Sequence, residues 1–153
     1  MTTRYSSLVS TIHSGGLAIL DSGVSTELEK RGQKMDEEAW SARVAIDSFD
    51  ILVSTHQAYI DAGADVITVN SYASSRLVLD PAGLSSKVRS INMKNIEAAQ
   101  LARERCGNDA VLIAGSISHA LSFATKQEQS AEACIAAFDE MVSFFEEGEV
   151  DLI

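Results

Sequence analysis

Leu17-Ala18-Ile19-Leu20 halts at Asp21, Val66-Ile67-Thr68-Val69 halts at Asn70, and Ala110-Val111-Leu112-Ile113-Ala114 halts at Gly115-Ser116. A fourth apolar run begins at Val150 and reaches Ile153. These runs are too short for ordinary helices, and several of their residues are β-branched. Unbroken rather than alternating apolarity predicts strands buried on both faces, as in a parallel sheet.

Helical patterns fill the intervals. Phe49, Leu52, Val53, His56, Tyr59 and Ile60 recur at helical spacing, with Asp47 or Ser48 as cap and Gly63 as terminator. A looser stripe runs from Ser86 to about Arg105. The cleanest runs from about Ser130 to Glu147 and carries Cys134, Ile135, Phe138, Met141, Val142 and Phe145. Ala62-Gly63-Ala64-Asp65-Val66-Ile67 is echoed, one residue longer, by Glu147-Gly148-Glu149-Val150-Asp151-Leu152-Ile153. In both, a glycine is expected to supply the left-handed turn after a helix. Strands alternating with helices predict the α/β class. Right-handed crossovers then allow a closed barrel or an open doubly wound sheet, and pattern alone does not separate them.

The 153 residues suffice for one domain. Residues 1–15 read as a flexible lead-in, and residues 16–153 as the folded unit. A last strand with no helix to cover it leaves an open sheet edge, so a longer parent chain is expected.

Charge narrows the partners. Lys and Arg number 12 against 22 Asp and Glu, a net charge of −10. That excess opposes nucleic acid and anionic membrane surfaces alike. No run approaches the roughly 18 apolar residues of a membrane span, and the first ten residues lack the apolar core of a secretory signal. Cys106 and Cys134 are too few and too far apart for a disulfide framework or a CxxC metal site. A cytoplasmic location is expected.

In parallel α/β folds, ligands gather beyond the carboxyl ends of the strands. That places candidates at residues 21–26, at Asn70, Ser71 and Tyr72, and at residues 115–119. They are small and hydrogen-bonding, suited to a small polar ligand. Asp21 has two readings, cap of the following helix or anchor for a ligand's ammonium group. Trp40, the single tryptophan, is either a loop anchor or an aromatic wall for a cation, and Tyr72 divides the same way. His56 reads as a satisfied core residue, His119 as a loop residue, Cys134 as core and Cys106 as a structural thiol. No histidine or cysteine spacing forms a metal site.

Three stretches then carry a resemblance. Ile19-Leu20-Asp21-Ser22-Gly23-Val24-Ser25-Thr26-Glu27-Leu28-Glu29-Lys30-Arg31-Gly32 resembles the LDGGMGTELERRG opening of the homocysteine S-methyltransferase family. Residues 56–72, HQAYIDAGADVITVNSY, are similar to its H-x-x-Y-x-x-A-G-A-D-x-I-T-T-N-T-Y stretch. Trp40-Ser41-Ala42-Arg43 and Ala114-Gly115-Ser116-Ile117 resemble its LWSA and AGSV segments, in family order.

The resemblance implies a (β/α)8 TIM barrel, of which this chain supplies about the first four strands. It also implies methyl transfer from an onium or methyl-folate donor to the thiol of homocysteine, forming methionine. By resemblance, Asp21 binds the amino group of homocysteine and Gly23 shapes the same pocket. Asn70 and Ser116 line the mouth, and Trp40 and Tyr72 lie on the donor side. A thiol of pKa about 8.5 is mostly protonated at neutral pH, and the family uses Zn2+ to deprotonate it. Cys106 and Cys134 do not match the zinc cysteines. No metal ligand or catalytic residue is therefore assigned here, and the segment alone is expected not to turn over. Ser22 and Ser25 stand where the family has glycine. Unpaired edges imply self-association or a missing C-terminal half. Two rival readings remain, a non-catalytic half barrel completed by a partner chain and a related folate-binding barrel methyltransferase.

Overall fold

The computed structural model describes residues 3–118 and 129–153. Its two strands, β1 (Val66–Thr68) and β2 (Leu112–Ala114), pair in parallel, with Val66 opposite Leu112 and Thr68 opposite Ala114. Leu20 bridges in parallel to Val66 on one side, and Leu152 bridges in parallel to Ala114 on the other. All four apolar runs thus lie side by side, parallel and in chain order. The outer two shrink to single bridges because each has a neighbour on one side only among the described residues. Their burial differs accordingly. Ile67 and Ile113 are wholly buried, whereas Leu17 is 84% exposed and Leu20 64% exposed. The expectation of burial on both faces therefore holds for the inner pair and not for the first run.

Seven α-helices are present among the described residues: α1 (Thr3–His13), α2 (Val24–Lys30), α3 (Val44–Asp47), α4 (Phe49–Asp61), α5 (Arg76–Leu79), α6 (Val88–Cys106) and α7 (Ala131–Glu147). The segment expected as a flexible lead-in is instead helix α1. Tyr5, Leu8, Val9 and Ile12 stand at i, i+3, i+4 and i+7, the spacing of one apolar face. Helix α1 lies at the amino ends of the strands, where Arg4, Ser7, Leu8 and Thr11 share a groove with Asp65, Ala110 and Leu112.

Helix α4 begins after Ser48, whose side chain makes no capping bond, so the expected cap is positional only. Helix α4 packs chiefly on α6, and α6 in turn on α7. Leu52, Val53, Ile91, Ile96, Met141 and Phe145 join Leu28 and Ile67 in one core. The face that α7 buries is turned from the expected stripe: Ala137, Met141, Phe144 and Phe145 are buried, while Ile135 is exposed and Cys134 half-buried. Small residues allow this. A Cβ on Gly115 would fall 2.7 Å from two ring carbons of Phe145, so glycine lets that ring approach the strand end closely.

The sequence echo has a structural meaning. Asp65 Oδ2 accepts the N–H of Ile19 at 2.8 Å, and Asp151 Oδ2 accepts the N–H of Ile113 at 3.0 Å. Asp65 stands just before its run and Asp151 second in its own, and each ties its run to the preceding one. The two turns differ, however. Gly63 is left-handed (φ +96°), but Gly148 has φ −82° and the left-handed residue is Glu149 (φ +50°). Gly148 serves contact instead, because a Cβ there would lie 2.8 Å from Ile96 Cγ2.

Candidate functional site

The carboxyl ends of the strands open onto a cleft of about 340 Å³. Its lining is residues 21–26, Trp40, residues 68–70, Tyr72 and Ser116. The six residues singled out from the sequence (Asp21, Gly23, Trp40, Asn70, Tyr72 and Ser116) all lie in this lining. His119 lies outside the described residues.

Asp21 does not cap a helix. Helix α2 starts after Gly23, with no side-chain cap bond. The carboxylate instead reaches across to β1, where Oδ2 accepts the Thr68 N–H at 2.7 Å and Oδ1 accepts the Thr68 hydroxyl at 2.8 Å. Burial pushes the Asp21 carboxyl above the ordinary aspartate value, against the lowering pull of the two Thr68 bonds. A carboxylate offers about four acceptor positions, so capacity remains for a ligand's N–H groups. No Lys, Arg or His is among the lining residues. The cleft is therefore anionic and favours a cation.

Tyr59 supports the same loop from below. Its hydroxyl donates to the Gly23 carbonyl at 3.5 Å and hydrogen-bonds the Ser22 side chain. Burial, with the Glu27 and Asp21 charges, holds its phenol above the usual range and so protonated.

A buried polar chain runs inward from the cleft. Ser41 Oγ donates to Asn70 Oδ1 at 2.8 Å, and Ser25 Oγ lies 2.7 Å from Ser41 Oγ. With the Ser41 hydrogen committed to Asn70, Ser25 is the donor to Ser41. Asn70 Nδ2 donates to the Ser41 carbonyl at 3.1 Å and to Asn95 Oδ1 at 3.4 Å. Both Asn70 amide hydrogens are thus engaged by protein, and the residue is 4% exposed. Ser71 Oγ donates to the Ser116 carbonyl at 2.9 Å and accepts the Ser116 N–H at 3.1 Å, which fixes the two strand exits together. Thr68, Ser41 and Asn95 were not singled out from sequence. Thr68 had a signal, since it stands two residues before Asn70 and so shares its face of the strand.

At the rim, Trp40 and Tyr72 meet edge to face, with ring centroids 6.0 Å apart and planes at 86°. Tyr72 is 46% exposed. The two aromatic side chains and Asp21 border one space. Cys106 lies elsewhere, its Sγ 3.7 Å from Asp61 Oδ1, and burial with the Asp61 charge keeps its thiol pKa raised. His56 is in the core as expected but is not satisfied there: neither ring nitrogen has a hydrogen-bond partner among the described residues.

The sequence profile of homocysteine S-methyltransferases matches residues 18–153. The chain belongs to the homocysteine S-methyltransferase family. The selenocysteine Se-methyltransferase of Brassica oleracea var. italica is 35% identical over 100 residues, covering 62% of this chain and 29% of that protein. Homocysteine S-methyltransferase 2 of Zea mays is 36% identical over 92 residues, covering 59% and 27%. The homocysteine methyltransferase MmuM of Escherichia coli, solved in a metallated form, superposes with a TM-score of 0.76 at 27% identity, covering 88% of this chain and 52% of that one. The chain thus spans about half of that solved structure, and its matches to the two plant enzymes span under a third of theirs. No described helix is long and apolar enough to cross a membrane.

Proposed function

We propose that this family member supplies the first four strands of a (β/α)8 barrel and the half of its mouth that binds homocysteine and faces a methyl donor. The parallel, in-order placement of the four runs supports the barrel, because a doubly wound sheet reverses its strand order at a switch point. The reaction is transfer of a methyl group from an onium or methyl-folate donor to the homocysteine sulfur, giving methionine.

The observation that carries the reading is Asp21, a desolvated carboxylate at a strand end in a cleft without a cationic side chain. An amino acid's ammonium group meets that need. Its entry restores the charge balance that burial disturbs and uses the acceptor positions that Thr68 leaves open. Trp40 and Tyr72 present aromatic faces of the kind that attract a sulfonium or quaternary ammonium. The binding half of the mouth then orients the two reactants toward each other, a contribution of positioning.

The zinc of the family finds no donor set here: among the described residues no group of three His, Cys, Asp or Glu side chains is placed to hold a metal ion. No step through a metal is assigned to residues of this chain.

Calorimetric titration of homocysteine into the purified chain tests the proposal. We expect saturable binding, at least tenfold weaker in Asp21→Asn with its far-UV circular dichroism unchanged. Equal binding by a folded Asp21→Asn variant refutes the assignment.

A further inference from the structure

Trp40 borders the cleft with its backbone in the left-handed region, φ +46°, which a bulky side chain seldom occupies. Such a conformation persists only where its surroundings over-determine it. On the C-terminal side the hold is Ser41, gripped at both its hydroxyl and its carbonyl by the Asn70 amide. On the N-terminal side it is a loop of five residues closed on itself. Asp36 N–H donates to the Trp40 carbonyl at 2.8 Å, and Trp40 N–H returns to the Asp36 carbonyl at 3.0 Å. Inside that loop Asp36 Oδ1 accepts the N–H groups of Glu38 and Ala39, each at 2.9 Å. Ala39 is wholly buried and seats the loop in the core. Arg43 Nε stands 3.8 Å from Asp36 Oδ2. Asp36 itself is not part of the cleft lining.

We infer that Asp36 is a positioning residue for the cation side of the cleft. Its carboxylate fixes the loop backbone that presents the Trp40 indole, edge to face with Tyr72, to an onium group. The inference rests on the donor-side reading proposed above. It separates two functions that the sequence places four residues apart: Trp40 touches the ligand, and Asp36 acts only through Trp40. The Glu38 and Ala39 N–H groups need an acceptor oxygen at that point, not a charge. An amide oxygen therefore serves as well as a carboxylate, and a longer acid does not.

Trp40 is the only tryptophan, so fluorescence excited on the red edge, beyond tyrosine absorption, reports on this side chain alone. The experiment titrates the 153-residue chain with tetramethylammonium chloride against a sodium chloride control, for the wild type and for Asp36→Ala, Asp36→Asn and Asp36→Glu. The wild type is expected to show a saturable fluorescence change. Asp36→Ala and Asp36→Glu shift the emission maximum to the red and weaken binding at least fivefold. Asp36→Asn keeps both within twofold of wild type.

A folded Asp36→Ala variant with wild-type emission and affinity overturns the inference. So does an Asp36→Asn variant as impaired as Asp36→Ala, which assigns the effect to charge. If Asp36→Ala does not fold, the contrast between Asp36→Asn and Asp36→Glu decides. If the wild type shows no response to tetramethylammonium, the onium reading fails, and the emission maxima still decide whether Asp36 sets the position of Trp40.

Discussion

His56 sits at 0% exposure on α4, and neither of its ring nitrogens has a hydrogen-bond partner among the described residues. Burial alone drives its pKa from 6.5 down to about 4. The unfolded chain therefore takes up a proton at this position near pH 6.5, while the folded chain resists until about pH 4. Between those values the unfolded state holds more protons, so folding stability rises with pH across the window and is lost as pH falls through it. Each pH unit is worth about 1.4 kcal/mol, which makes the whole interval worth about 3 kcal/mol. That is a large share of the roughly 5–15 kcal/mol that holds a domain together. For a chain of this size it corresponds to a midpoint shift of about 6–12 °C.

The matching perturbation is His56→Met, close in volume and without a polar ring. It removes two unpartnered buried nitrogens, each of which costs about 1–3 kcal/mol to leave unsatisfied. The variant is expected to be at least as stable as wild type at pH 7 and clearly more stable at pH 4.5. Urea unfolding of both proteins at half-unit steps from pH 4 to pH 7 is the assay. Asp21, whose raised pKa stabilises the folded state as pH falls, is present in both proteins and drops out of the difference. Parallel pH slopes for the two proteins refute the argument. So does a loss of more than about 3 kcal/mol at pH 7, which would mean that the ring nitrogens have a partner after all.

Gly115→Ala sets a Cβ 2.7 Å from the buried Phe145 ring. It is expected to destabilise by about 1–3 kcal/mol, and in a double-mutant cycle Phe145→Leu recovers part of that loss, whereas strict additivity contradicts the contact. Asp151→Ala leaves Arg103, 2.8 Å away and 13% exposed, without its counter-ion and strips the Ile113 N–H of its acceptor. A loss of about 3–5 kcal/mol in urea unfolding is expected, and a loss under 1 kcal/mol counts against a buried pair. Homocysteine affinity is expected to fall with acidification along a limb whose midpoint lies above 3.8, because burial raises the Asp21 pKa and the proposed ammonium contact requires the carboxylate. A limb at or below 3.8 assigns binding to another group.

Strand ends were legible because one-dimensional signals mark them: an apolar run, then a small polar stop. Asp21, Asn70 and Ser116 follow three such runs, and parallel pairing carries all three to one cleft. What those residues touch was not legible. Thr68, the partner of Asp21, is 47 positions away, and Asn70 reaches Ser41 across 29. No local pattern encodes such pairs, so by position Asp21 read first as a cap, which it is not. The fate of each glycine was hidden for the same reason. Gly63 obeys a local rule of backbone freedom, but Gly148 answers to Ile96 on another helix.

Ser22 and Ser25, where the resemblance leads one to expect glycine, turn on this distinction between local and tertiary cause. Read from sequence, Ser22 crowds the site if backbone must approach a ligand there, and Ser25 stands where the resemblance has glycine. In the fold, Ser25 Oγ lies 2.7 Å from Ser41 Oγ, at the head of the buried chain through Asn70. Ser22 is exposed and hydrogen-bonded to Tyr59. Neither hydroxyl is left unsatisfied, and the cleft stays open beside them. A buried polar network is costly wherever a member lacks a partner, and in this chain Asn95 Nδ2 has none among the described residues. A random glycine-to-serine change at Ser25 would leave a half-buried hydroxyl wanting one, yet Ser41 is there to accept, itself held by Asn70. The Ser25 hydroxyl is thus matched by its surroundings, as a donor to Ser41 at the head of the chain through Asn70.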